Sequence, residues 1–147
     1  KITTYRKLSE DALARLGEVL DTGKIWTAGV PLPGGDFPVD GVQALAGQIA
    51  VTTKGLSPET GMRLAKAYGT DALKMLAEAD GDLGRDFGHG LFEVEVKWLM
   101  RREWARTTDD VLWRRSKLGL RFAPAEVEAL LDWMSKAAKD AANPAAA

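Results

Sequence analysis

The chain is predicted to be all-α, a compact bundle of about six or seven short helices with a long Pro/Gly-rich loop after the first helix. Three observations predict this. Apolar residues recur at steps of three and four along most of the chain, the spacing that lines one face of a helix. No stretch alternates apolar and polar residues for long enough to make a half-buried strand. Capping hydroxyls, glycines and prolines fall between the periodic segments, where helices start and stop.

Taken in order, Tyr5, Leu8, Ala12, Leu13, Leu16, Val19 and Leu20 predict a one-sided first helix, ended by Asp21-Thr22-Gly23. From Thr22 to Asp40 the chain carries Pro31, Pro33, Gly34, Gly35 and Pro38, which forbid regular structure. Trp26, Val30, Leu32 and Phe37 argue that this loop packs on something. Asp40 is expected to cap a short helix through Val42, Leu45, Ala46 and Ile49, weakened by Gly47 and stopped by Thr52-Thr53. Ser57-Pro58-Glu59 is a strong start: a capping hydroxyl, a proline in the first helical position, then an acid near the positive helix end. That helix uses Met62, Leu64, Ala65 and Tyr68, stops at Gly69, and a further one runs from Thr70-Asp71 through Leu73, Leu76 and Ala77.

Asp80 to Gly90 is glycine-rich and broken. Leu91 to Arg106 reads as helix, with Phe92, Val96, Leu99 and Met100 on one side and Val94 and Trp98 beside them. Thr108 or Asp109 is expected to cap a helix holding Val111, Leu112, Trp113 and Leu118 and closed by Gly119. Pro124 opens the last helix, in which Val127, Leu130, Leu131, Met134, Ala138 and Ala141 follow helical spacing. Residues 143–147 read as a frayed tail.

With 147 residues, 46% hydrophobic and 28% charged, the chain can bury one domain's core. A net charge of −1 gives no electrostatic argument for nucleic acid. Cysteine is absent, which excludes disulfides and thiolate metal sites and suits a reducing cytosol. No apolar run approaches the roughly 18 residues that span a bilayer.

Four constellations could carry chemistry. Residues Ser57 to Glu78 have a helix-turn-helix layout, but the second helix sets one lysine against three acids through Asp80 and lacks base-reading side chains. A plain helical hairpin is the reading. Asp80 to Asp86 suggests a calcium loop, yet Arg85 and Leu91 stand where that loop needs glycine and a bidentate glutamate. His89, the sole histidine, lies near Asp86 without a nucleophile motif or fellow metal ligands, and reads as a turn residue. Arg101, Arg102, Arg106, Arg114, Arg115, Lys117 and Arg121 share a quarter of the chain with Trp98, Trp104 and Trp113. An anion or headgroup surface is one reading; arginines covering the core and pairing with Glu103, Asp109 and Asp110 is the preferred one. No catalytic residue and no metal ligand is assigned.

The opening, Lys1-Ile2-Thr3-Thr4-Tyr5-Arg6-Lys7-Leu8, resembles the end of the Gly-Gly-Lys-Leu/Ile-Thr-Thr-Tyr/Phe-Arg motif of FAD-dependent glycerol-3-phosphate dehydrogenases of the bacterial aerobic type. Leu32-Pro33-Gly34-Gly35-Asp36 is similar to that family's loop after the helix. The block from Asp86 to Leu120, opening Asp-Phe-Gly-His-Gly-Leu-Phe-Glu-Val-Glu-Val, is similar throughout to its C-terminal helical domain. The resemblance implies oxidation of sn-glycerol 3-phosphate to dihydroxyacetone phosphate, with electrons passed to membrane quinone. The parent would be cytoplasmic, peripheral on the inner face of the inner membrane.

No Gly-x-Gly-x-x-Gly follows a strand here, and the chain opens on a helix without a methionine, so it is expected to be part of a longer protein. The implied organisation is a terminal helix of the parent's FAD domain over residues 1–20, a linker loop over 21–40 and a helical cap domain over 41–142. Lys1, Thr3 and Thr4 would lie against FAD in the intact parent, where the positive helix end would favour the reduced ring, and Lys1 or Arg6 would help hold the phosphate-bearing substrate. Otherwise Thr3 and Thr4 are simple helix caps. Upstream FAD and substrate domains are the implied partners. The isolated chain is expected to bind no cofactor and catalyse nothing, and its first helix to pack on the domain or on a second copy. The alternative is a standalone helical protein-interaction module.

Overall fold

The structure, a computed structural model, describes residues 4–142, so Lys1, Thr3 and the 143–147 tail lie outside it. The described residues are all-helical: α1 (Tyr5–Leu16), α2 (Val42–Thr52), α3 (Pro58–Tyr68), α4 (Asp71–Ala77), α5 (Glu93–Arg102) and α6 (Pro124–Ala142), with a π turn at Asp110–Arg115 and a 3-10 turn at Leu118–Leu120. Among these residues the only strand-like feature is an isolated antiparallel bridge between Asp86 and Phe92, and no helix among them is long and apolar enough to cross a membrane. Two compact units divide between Leu32 and Pro33.

In the first unit, α1 stops at Leu16, one turn before the expected Leu20. Gly17 costs about 1 kcal/mol more than alanine in a helix interior. The Val19 and Leu20 amides turn back onto the Leu16 carbonyl instead. Residues 21–32 follow no regular helix. Trp26, Val30 and Leu32 are exposed, against the packing expected of them; Phe37, in the second unit, does pack on a core.

The second unit has two apolar clusters that meet on α5. Val94 and Trp98 join Leu45, Ile49, Leu64, Met75 and Leu76 from α2, α3 and α4. Val96 and Leu99 join Val111, Leu112, Leu118, Leu130 and Met134 from the segments that follow. Val96, Leu99 and Met100 thus share one cluster and Val94 and Trp98 the other, while Phe92, expected beside Val96, packs on the Val94 and Trp98 side.

The helix starts follow local chemistry. The Ser57 hydroxyl accepts the Thr60 amide at 3.1 Å, capping α3. Asp40 does not cap α2: Gly41 takes that position, its amide closing a turn on the Pro38 carbonyl. Glu126 accepts the Ala123 amide at the head of α6. The π turn begins with a reciprocal box, not with Thr108 or Asp109. The Thr107 hydroxyl accepts the Asp110 amide, while the Asp110 carboxylate accepts the Thr107 and Arg106 amides at 2.9 and 2.8 Å. The Ser116 amide then reaches the Val111 carbonyl five residues back, which opens the expected α-helix into a π turn.

Those two amides, with Thr107 and Arg114, hold the Asp110 carboxyl far below the usual carboxylate range. Below about pH 4 the unfolded chain takes up protons that the native Asp110 refuses, so this cap's contribution is present above that pH and drains away as pH falls. Asp110→Asn is expected to flatten the fall in unfolding free energy between about pH 4 and pH 2, as read by urea titrations at each pH.

Two chain breaks show why sequence periodicity overran the helices. α5 ends at Arg102 because Trp104 takes the left-handed position, φ +54°, and the Ala105 amide bonds back to Leu99. Glycine is the ordinary occupant of that position, and here a tryptophan stands there 75% exposed. α3 and α4 are separated by Gly69, φ +56°, whose Cα packs on the Gly34 carbonyl; the Thr70 amide donates to that carbonyl at 2.9 Å. The Leu-Pro-Gly-Gly-Asp loop is thereby pinned to the hairpin turn.

Candidate functional site

Of the residues expected near a cofactor, Thr4 and Arg6 are described. Thr4 stands at the N-cap of α1 but makes no side-chain cap bond, so the simple capping role is not realised. Arg6 and Lys7 occupy the first turn, where cations oppose the helix dipole, and each is steadied by an acid four residues on: Arg6 by Glu10 at 2.8 Å and Lys7 by Asp11 at 3.0 Å. Glu10 also accepts the Thr27 hydroxyl at 2.5 Å. That bond, outweighing burial, together with Arg6 holds the Glu10 carboxyl below its usual range.

The burial pattern of α1 is inverted. Its one buried side chain is Glu10, 8% exposed, while Tyr5, Leu8, Leu13 and Leu16 all face solvent. A 12-residue helix of this kind has little to hold it in water unless its apolar stripe is covered.

In the second unit the polar centre is an ion pair the sequence reading did not single out. Arg63 of α3 donates through both Nη atoms to Glu95 of α5, at 2.7 and 2.6 Å, a bidentate fork. The Arg63 Nη2 also donates to the Gly90 carbonyl, and the Tyr68 hydroxyl donates to Glu95 at 2.8 Å. Glu95 is 2% exposed. Burial, with Glu95 beside it, pushes the Tyr68 hydroxyl far above the tyrosine range; Arg63 is held charged by Glu95 against the opposing effect of burial. The pair lies where the two apolar clusters adjoin, and Tyr68 packs on both.

Above it opens a cleft of about 720 Å³ between α3 and the segment from Arg115 to Arg121. His89 lines it, set in a turn whose three residues all have positive φ: Gly88, His89 and Gly90. Gly88 and Gly90 stand at φ +108° and +74°, a backbone conformation that favours glycine, and a Cβ on them would also crowd the Glu126 and Thr60 side chains. His89 Nε2 lies 3.5 Å from Glu126 and its ring tilts against Phe122. Among the described residues no serine hydroxyl hydrogen-bonds to it, and the chain has no cysteine.

The acids of the supposed calcium loop serve its turns. Asp82 accepts the Gly84 amide and Asp86 the Gly88 amide. Among the described residues no three His, Asp or Glu side chains could hold a metal ion. In the arginine-rich quarter, Arg101 and Arg102 both pair with Glu78, while Arg114 and Arg115 pair with Asp110. Glu103 contributes its carbonyl to Arg115, not its carboxylate, and Asp109 makes no ion pair in the described set. Arg102 also lies over the buried Trp98 ring at 5.3 Å.

Fold and site define an all-helical domain organised round a buried arginine–glutamate pair. Residues 25–142 match the family described as the C-terminal domain of alpha-glycerophosphate oxidase, and the chain belongs to that family. It is 44% identical over 129 residues to a glycerol-3-phosphate dehydrogenase of Pseudomonas aeruginosa, covering 86% of this chain and 25% of that protein. To the aerobic glycerol-3-phosphate dehydrogenase of Escherichia coli it is 36% identical over 137 residues, 91% of this chain and 27% of the relative. A D-erythritol 1-phosphate dehydrogenase of Brucella abortus matches at 34% over 140 residues, 93% of this chain and 28% of the relative. The chain thus spans about a quarter of the length of these relatives.

Proposed function

We propose that this chain is the C-terminal helical portion of an FAD-dependent sn-glycerol-3-phosphate dehydrogenase and performs no chemistry by itself. The observation that carries the reading is α1: a helix that begins with the family's motif, buries a glutamate and exposes its apolar stripe. Such a stripe is what a helix shows when the surface it packs on is elsewhere in the protein. The relatives' names describe dehydrogenases of phosphorylated polyols, and their length leaves room for a nucleotide-binding body beyond this chain.

The described part of the motif fits a flavin partly. The N-terminal amides of α1 have no side-chain cap, and the first turn carries two cations and no acid, which suits an electron-rich group on the helix axis. FAD, when bound in the parent, supplies the hydride-accepting ring. Thr4, with Lys1 and Thr3 outside the described residues, would border it. Arg6 is engaged by Glu10, so it holds a substrate phosphate only by leaving that partner. The substrate is proposed to be glycerol 3-phosphate, the acceptor membrane quinone, and the parent's place the cytoplasmic face of the inner membrane. In this reading the upstream FAD and substrate domains cover α1 in the parent; a second copy covering it is the expectation for the isolated chain.

In the intact parent, Leu8→Asp is expected to lower the FAD retained after gel filtration about tenfold, because an unpaired carboxylate would be buried against the flavin domain. Full flavin content and activity in that variant would remove α1 from the flavin domain.

A further inference from the structure

The cleft over the Arg63–Glu95 pair is electropositive on a chain that is net negative. Its lining includes Arg63, Lys66, Arg115, Lys117 and Arg121, against the two carboxylates Glu59 and Glu95. Glu95 is already spent on Arg63 and Tyr68. Arg115 is answered by Asp110 and the Glu103 carbonyl. Among the described residues the Lys117 ammonium donates only to the Trp113 carbonyl, and Lys66 and Arg121 make no ion pair. Lys66, Lys117 and Arg121 therefore line one concavity with only the Glu59 carboxylate to set against them. Beneath them the Arg63 Nε is shielded from water and has no hydrogen-bond partner. A buried donor left unanswered is costly, and few native structures keep one without reason.

We propose that this cleft is a binding site for a small organic phosphate. Lys66, Lys117 and Arg121 would hold the phosphoryl group, whose double negative charge matches what the lining leaves uncompensated. The carbon skeleton would lie against Met62 and Leu120, which supply apolar wall on opposite sides. The volume, about 720 Å³, is in the range of pockets that take metabolite-sized ligands. All of these residues belong to the second unit. The phosphate could come from a soluble metabolite or from a lipid headgroup, and the same cations would recognise either.

The sole histidine lines the cleft, which makes its imidazole a specific reporter. Glycerol 2-phosphate titrated into the chain at constant pH and ionic strength is expected to shift the His89 ring resonances saturably. Lys66→Gln/Arg121→Gln should raise the midpoint about tenfold, the loss expected when charge-assisted bonds to a dianion are removed. Lys136→Gln/Lys139→Gln on α6 should leave it unchanged. Both changes replace exposed side chains, and a second pair, Lys66→Gln/Lys117→Gln, repeats the test if the first variant unfolds. Sedimentation with phosphatidylcholine vesicles containing phosphatidic acid separates the sources: cation-dependent pelleting assigns the site to a headgroup, its absence to a soluble phosphate. A shift equal to that produced by sodium chloride, or a midpoint indifferent to the cleft cations, overturns the proposal. So does a response in the isolated chain that vanishes in the intact parent, which would mean that an acidic segment of the parent fills the cleft.

Discussion

Glu95→Ala is expected to destabilise the helical unit by about 3–5 kcal/mol, the cost of leaving a buried partner charge unpaired. Glu95 accepts both Nη atoms of Arg63 and the Tyr68 hydroxyl, so its loss strands two donors where the apolar clusters adjoin. Domains of this size are stable by only about 5–15 kcal/mol, so the variant should unfold at far lower urea or not fold at all. Replacing both charges, as Arg63→Leu/Glu95→Leu, should recover most of the loss, because a buried pair is weak evidence of net stability. Urea unfolding of the single and double variants measures this. A single variant within about 1 kcal/mol of the parent would show that the pair is not desolvated as described.

Gly69→Ala is expected to cost about 3 kcal/mol, from left-handed strain at φ +56° and from steric overlap. Its Cβ would press on the Gly34 carbonyl, 2.7 Å from the carbonyl carbon, and lie 3.0 Å from the Phe37 ring. Relief would require the loop to leave the turn, breaking the Thr70 to Gly34 hydrogen bond. The matched control is Gly47→Ala inside α2, where nothing lies within 4 Å of a new Cβ. That change should stabilise by about 0.5–1 kcal/mol through helix propensity. The two glycines separate a backbone contact from a propensity effect, and thermal unfolding of both variants reads the difference.

Much of the helical architecture was legible because its signals are local. Ser57-Pro58-Glu59 marks the start of α3, Gly69 its end, and Pro124 the last helix, each through chemistry contained within one turn. Helix ends were less legible where a rarer geometry intervenes. Trp104 in a left-handed position and the π turn after Thr107 leave the apolar spacing intact while breaking the helix.

The polar centre was invisible for a different reason: Arg63 and Glu95 are 32 residues apart, and nothing local names one as the other's partner. A signal did exist. On the helix that the sequence predicts from Leu91 to Arg106, the neighbours of Glu95 at three and four residues are Leu91, Phe92, Trp98 and Leu99, so its carboxylate had to lie in an apolar face. A charge so placed demands a buried counterion. The cleft was legible only in part: Arg115, Lys117 and Arg121 stand in the basic quarter that the sequence offers as an anion surface, while Arg63 and Lys66 come from α3, which only tertiary packing brings alongside.

If this chain covers a redox protein whose flavin chemistry resides in other residues, it should carry no flavin when purified alone. The folded chain is incubated with FAD, passed through gel filtration, and read by visible absorbance alongside assay with glycerol 3-phosphate. A helical, colourless protein without turnover is expected. Stoichiometric bound FAD with oxidation of glycerol 3-phosphate by these residues alone would overturn the proposal.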